Sequence, residues 1–323
     1  MTELTLAKAL NTALHAAMAE DSRVLVMGED VGRLGGVFRI TEGLYDAFGP
    51  RRVRDMPLAE SGIVGTAVGL ALRGFRPVVE IQFDGFVFPA FDQIVNQVAG
   101  YRARTHGRTS LPMVIRVPFG GDIGAVEHHS ESPEAYFMHT PGLHVLSCGS
   151  PHDAHWLLRQ AIECPDPVIL FEPKARYYVK GEVGPAPDLP MTAARTVRPG
   201  RDATLLAYGP TVRTCLDAAE AAAREGRDLE VIDLRALAPL DMAVIRASAA
   251  RTRRVVVVHE ARRTLGPGAE IAARLDEEMW GSLDAPVLRV AAWDVRYPPA
   301  RVEHDYLPDA ERVLDAVDRS FAY

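Results

Sequence analysis

Short, continuously apolar runs separated by helical stretches constrain this chain more than any other feature. Residues 24–28 (VLVMG), 77–83 (PVVEIQF), 111–121, 143–148 and 167–173 read as strands with little polar alternation. A strand apolar on both faces must be covered on both, so it belongs in a parallel sheet with helices above and below. Residues 6–19 and 56–74 are the first helical stretches of this pattern. After a proline-rich stretch the alternation restarts. Strands are expected at 204–209, 229–234, 254–260 and 286–292, and helices at 212–224, 242–251 and 269–280. The fold class is therefore α/β in two domains. The first is expected over 1–185 and the second over 201–323, joined by a linker at 186–200 where prolines interrupt the periodicity. A chain of 323 residues, 48% of them hydrophobic, has enough apolar material for both cores.

Composition excludes several functions. No apolar run reaches the roughly 20 residues of a membrane-spanning helix, and the opening MTELTLAKAL has no apolar export segment. Cys148, Cys164 and Cys215 are too few and too scattered for a disulfide framework or a zinc cluster, so a cytoplasmic location is expected. A net charge of −7 without a basic stripe argues against nucleic acid as a partner. Neither G-x-G-x-x-G nor G-x-x-x-x-G-K-[ST] occurs. The GPGAE segment at Gly266 reads as a tight strand-to-helix turn needing positive φ.

Three segments carry candidate chemistry. In residues 56–74, Gly62, Gly65 and Gly69 leave one helix face without side chains, and Glu60 stands at its start among apolar neighbours. That carboxylate reads either as a partner for free helix N–H groups or as a group whose raised pKa lets it exchange a proton near neutrality. In residues 80–97, Phe83, Phe86, Phe88 and Phe91 form either a packing cluster or a stacking face for a flat heterocycle. In residues 124–144, Glu127, His128, His129, Glu131 and Glu134 sit on a polar loop. Adjacent histidines seldom share one ion and no HExxH or CxxC accompanies them, which leaves acid–base groups or solvated surface.

These segments resemble the beta subunits of the thiamine-diphosphate-dependent, decarboxylating component of 2-oxoacid dehydrogenase complexes. The resemblance runs through GEDVGRLGGVFRIT, LAESGIVGTAVGLA, EIQFDGFVFPAFDQIVNQ, IRVPFGG, HHSESPEAYFMHTPGL, DPVILFEPK, VIDLRALAPLD and APVLRVAAWD in order. FPAFDQIVN and HSESPEAYF are closer to the branched-chain enzymes than to the pyruvate ones. The resemblance implies a parallel-sheet pyrimidine-binding fold followed by a transketolase C-terminal-like assembly domain. It implies half of a thiamine diphosphate site, because the G-D-G motif that holds the diphosphate and Mg²⁺ is absent here and belongs to an alpha subunit. Two alpha and two beta chains would form the working unit, with a lipoyl acyltransferase as the next partner.

Residue by residue, the resemblance gives Glu60 the proton exchange with the pyrimidine ring, Leu58 a backbone contact to it and Phe86 the stacking position. Phe86 stands where tyrosine is commoner. His129 matches the histidine of the H-S-x-S motif, implicated in passing the acyl group to the lipoyl arm; general acid to the dithiolane sulfur is the expected role. Glu29 and Asp92 match acidic positions near the cofactor, while Pro89 replaces a further acid. A K⁺ held largely by backbone carbonyls is implied at Met113, Ala161, Cys164 and Asp166, two of which depart from the usual side chains. Pyruvate or acetoin as substrate, a non-catalytic assembly subunit and a free-standing transketolase-like enzyme are the alternative readings.

Overall fold

The computed structural model describes all 323 residues. The amino-terminal half holds β1 (Thr2–Thr5), β2 (Val24–Gly28), β3 (Val53–Asp55), β4 (Arg76–Glu80), β5 (Val114–Phe119), β6 (His144–Ser147), β7 (Val168–Pro173) and β8 (Lys180–Val183). The carboxy-terminal half holds β9 (Arg195–Arg198), β10 (Ala203–Ala207), β11 (Leu229–Asp233), β12 (Ala236–Ala238), β13 (Val255–Arg262) and β14 (Leu288–Ala292). The larger sheet has the order β12-β6-β7-β5-β4-β2-β3 and the smaller one β14-β13-β10-β11-β9. Every pairing in them is parallel except those of β12 and β9 at the edges.

Strand alternation sends successive side chains to opposite faces of the larger sheet. Val24, Val26, Val78 and Val114 pack against the helices Leu6–Glu20 and Pro151–Glu163. Leu25, Met27, Val79 and Ile115 face the other way, onto Ile63, Val64 and Ala67 of the helix Glu60–Leu72. That second core continues without a break into Leu206, Ile232 and Val257 of the smaller sheet. The two halves are thus welded by shared apolar burial, the dominant favourable term in folding.

Two features depart from the sequence expectation. The stretch 186–200 is not only a linker, because β9 lies inside it and adds an antiparallel edge to β11. β12, from the carboxy-terminal half, crosses over to pair with β6 of the larger sheet. Both are three- or four-residue edge strands, too short to show a period of two. No helix is long and apolar enough to cross a membrane.

Candidate active site

Ligands in open α/β sheets bind beyond the carboxyl ends of the strands, and here four neighbouring strand ends converge. Glu29 follows β2, Glu60 follows β3, residues 81–92 follow β4, and residues 120–134 follow β5. The loop after β2 is pinned where Asp55, at the end of β3, accepts the Gly32 amide at 2.6 Å. A Cβ on Gly85 would collide with the carbonyl oxygen of His128, so only glycine lets the β4 loop close against the β5 loop.

Glu60 is the first residue of its helix and is 5% exposed, yet neither of its carboxylate oxygens is hydrogen-bonded within this chain. Glu29 is 7% exposed and its Oε1 is buried without a donor. Burial raises the Glu29 carboxyl to about 7, and the charges of Glu60 and Asp30 push in the same direction. A carboxyl raised to about 7 can take up and release a proton near physiological pH.

The folded chain holds the Glu29 proton more tightly than the unfolded chain, whose glutamate titrates near 4.3. The stability from this proton is fully present below that value and is lost as pH rises through about 7. Glu29→Gln is therefore expected to flatten the fall in melting temperature between pH 5.5 and 8. An unchanged pH slope in thermal unfolding would show that Glu29 titrates normally.

His129 lies on the β5 loop with its ring stacked on Phe83, centroids 4.1 Å apart, and edge-on to Phe86 at 5.3 Å. Its Nδ1 is 3.0 Å from the His128 carbonyl. A carbonyl only accepts, so Nδ1 carries the proton of the neutral ring and Nε2 keeps its lone pair. Burial, then the neighbouring His128, lower the imidazole's pKa, which favours that neutral form. As found, the ring is a proton acceptor at Nε2 and becomes an acid only after taking up a proton.

The remaining expected residues are more dispersed. Leu58 is 74% exposed beside Glu60. Asp92 is exposed and accepts from Gln93 and Asn96, at the start of the π-helical turn Gln93–Val98. Gly65 and Gly69 meet nothing within 4 Å of a built Cβ, so the glycine face of the helix is uncovered by this chain.

At the implied K⁺ position the carbonyls are already engaged. Met113 O accepts from Val168 N at 3.0 Å and Ala161 O from Cys164 N at 3.3 Å. Cys164 O takes Arg76 Nη1 at 3.3 Å, with Ile162 O at 2.6 Å from the same nitrogen, while the Asp166 carboxylate pairs with Arg102. Arg76 thus reaches the Ile162 and Cys164 carbonyls, and each carbonyl of the implied set that accepts one hydrogen bond keeps a second lone pair.

At Gly266 the turn has a different cause from the one expected. Its φ is −72°, and the neighbouring Leu265 takes the positive φ. Glycine is required at 266 because a Cβ would strike the Arg262 carbonyl and the His259 ring.

One group in the site has no signature in the sequence. Lys174 and Asp84 form a fully buried ion pair beneath the aromatic cluster, with Lys174 Nζ 5.9 Å from the Phe83 ring centroid. Asp84 also accepts the Glu131 amide at 2.7 Å, tying the β4 and β5 loops together. These partners are 90 and 47 residues apart.

Residues 2–180 match the family model of the transketolase pyrimidine binding domain, and residues 192–313 that of the transketolase C-terminal domain. A split-gene transketolase, described as an inactive beta4 tetramer, superposes with a TM-score of 0.82 over 99% of this chain and 98% of that one. At 24% identity that likeness shows a shared fold.

Sequence relatives narrow the class. The chain is 57% identical to the pyruvate dehydrogenase E1 component subunit beta of Leifsonia xyli subsp. xyli, over 99% of this chain and 95% of that one. It is 55% identical to the 3-methyl-2-oxobutanoate dehydrogenase subunit beta of Mycobacterium tuberculosis, over 98% and 91%. It is 43% identical to the 2-oxoisovalerate dehydrogenase subunit beta of Pseudomonas aeruginosa, over 99% and 95%. The chain belongs to the family of beta subunits of thiamine-dependent 2-oxoacid dehydrogenases.

Proposed function

We propose that this chain is the beta half of the decarboxylating component of a branched-chain 2-oxoacid dehydrogenase complex. It pairs with an alpha subunit in a two-alpha, two-beta heterotetramer and passes an acyl group to the lipoyl domain of an acyltransferase. The observation that carries the reading is the pairing of two largely buried glutamates at the carboxyl edge of the sheet, Glu29, whose Oε1 has no hydrogen-bond donor, and Glu60, whose charge acts on it. They fit a polar heterocycle such as the pyrimidine of thiamine diphosphate, and the bare glycine face of the Glu60 helix fits close packing by the alpha subunit. Residues 1–185 act as the pyrimidine-binding domain and 201–323 as the assembly domain, in the cytoplasm. The alpha subunit holds the diphosphate and Mg²⁺.

Thiamine diphosphate, when bound, supplies the carbon nucleophile for a 2-oxoacid and stabilises the charge left as CO₂ departs. The chain's own residues orient and move protons. Glu60 exchanges a proton with a ring nitrogen, the Leu58 backbone and the Phe86 face locate the ring, and Glu29 and Asp92 assist proton movement nearby. His129, with Nε2 open, takes a proton and delivers it to a dithiolane sulfur of the lipoyl arm. His129→Ala is expected to lose more of the transfer to a lipoyl domain than of the decarboxylation coupled to an artificial oxidant. Equal losses in the two assays would remove His129 from the transfer step.

The deciding test is 2-oxoacid-dependent reduction of an artificial electron acceptor, with the chain alone and co-expressed with an alpha subunit. Activity in the mixture only, greatest with 3-methyl-2-oxobutanoate, supports the reading. A preference for pyruvate keeps the chemistry and changes the substrate, a second reading favoured by the 57% identical relative named for pyruvate. Activity of the chain alone would overturn the shared site.

A further inference from the structure

The loop that carries His129 is gripped on both sides of that residue by the carboxy-terminal half of the chain. On the amino-terminal side, the Gly121 amide donates to Glu260 Oε2 at 3.1 Å, the Asp122 amide to the Tyr297 hydroxyl at 3.1 Å, and the Gly124 amide to Glu303 Oε1 at 3.2 Å. Tyr297 in turn donates to Glu303 Oε2 at 2.7 Å, which sets both acceptors. A Cβ on Gly121 would collide with the Tyr297 hydroxyl, so the approach is as close as the backbone allows. On the other side, Arg262 Nη2 donates to both Glu131 oxygens at 3.0 Å, and the buried Tyr208 hydroxyl donates to Glu134 Oε1 at 2.6 Å. Arg262 is itself held, its Nε donating to the Val295 carbonyl at 3.0 Å.

Between these two grips, no side chain of the carboxy-terminal half is hydrogen-bonded to residues 125–130. His129 stands at the crown of an arch whose feet are fixed by residues 74 to 179 positions away. The arch is also closed on itself, the Gly120 amide donating to the Glu131 carbonyl at 3.0 Å. An imidazole that meets a partner's sulfur has to be located to within a fraction of an ångström, and a displacement of about 1 Å costs as much as 100-fold in rate.

We infer that Arg262 and Glu303 of the carboxy-terminal domain are positioning residues for the acyl-transfer histidine. This gives the domain a share in the transfer step beyond assembly, and it rests on the transfer role proposed for His129. Neither residue touches the Glu29–Glu60 site, so the decarboxylating half of the reaction does not depend on them.

The test uses the beta chain assembled with its alpha subunit and compares Arg262→Gln, Arg262→Lys, Glu303→Gln and His129→Ala. Arg262→Gln and Glu303→Gln are expected to lower kcat/KM for a lipoyl domain about 10-fold. Artificial-acceptor turnover should stay within about 2-fold, and Arg262→Lys should recover part of the loss because a lysine still reaches Glu131. Hydrogen exchange over residues 120–134 supplies a readout independent of His129 chemistry: the two glutamine variants should exchange faster there and nowhere near Glu60. Equal losses in both assays, or unchanged exchange in the loop, would overturn the grip. If exchange quickens and His129→Ala does not separate the two activities, the transfer role of His129 has failed and the positioning role fails with it.

Discussion

Replacing Glu60 with glutamine is expected to lower turnover of the assembled enzyme by at least about 100-fold, the range typical of a positioned acid–base group. The substitution keeps volume and hydrogen-bonding reach while removing the ability to exchange a proton. The Glu60 side chain makes no hydrogen bond inside the chain, so the variant loses no internal partner and should fold and assemble normally. It also removes the charge that helps hold Glu29 protonated, and the Glu29 carboxyl should then titrate closer to its ordinary value. Steady-state turnover with an artificial acceptor and size measurement of the heterotetramer check both halves. A loss below 10-fold with assembly intact would assign Glu60 a structural task and restore the non-catalytic assembly reading.

The second large effect concerns stability. Arg116 on β5 is fully buried, donating to Glu80 Oε2 at 2.5 Å and to the two Glu172 oxygens at 2.7 and 2.8 Å. The Tyr177 hydroxyl completes Glu172 at 2.9 Å. Arg116→Met would leave two buried carboxylates without a cation, and removal of one partner of such a pair costs about 3–5 kcal/mol. Burial already pushes Glu80 upward against the pull of Arg116. Without the guanidinium Glu80 holds its proton more tightly folded than unfolded, so the deficit should widen as pH rises and shrink as it falls. Urea unfolding of the full chain at pH 5.5 and 8 reads this directly. A deficit below about 1 kcal/mol at pH 8 would mean that the carboxylates find other partners. The cluster also matters for the site, because Glu80 Oε1 lies against Gly36 in the loop that follows Glu29.

Local features were legible where the physics is local. The run VLVMG becomes β2, buried throughout, and the start of the 13-residue helix at Glu60 follows from the apolar segment behind it. The linker expectation failed at β9 because a four-residue edge strand has no measurable period, and its pairing with β11 is decided by a segment more than 30 residues away. At Gly266 the motif pointed to backbone conformation, whereas the constraint is collision with the His259 ring, which packing alone creates.

The site divides in the same way. Sequence marked Glu60, Glu29, Phe86 and His129 through their motifs, but it gave no sign that Glu29 would be a buried, raised acid. In the structure Glu29 is raised to about 7, because the fold buries it and sets it near Glu60 and Asp30. Phe83, one of four phenylalanines in a nine-residue stretch, becomes the ring on which His129 stacks only when the β4 and β5 loops close on each other.

By itself the sequence determined the α/β class, the two-part organisation and the family, since apolar periodicity and ordered motifs are properties of neighbouring residues. Tertiary structure alone decided that the Glu29 carboxyl is raised, which guanidinium reaches the carbonyls near Cys164, and which side chains of the second domain grip the loop of the first. Those outcomes depend on burial and on contacts between residues 74 to 179 positions apart. Desolvation and pairing of that range exist only after the chain has packed.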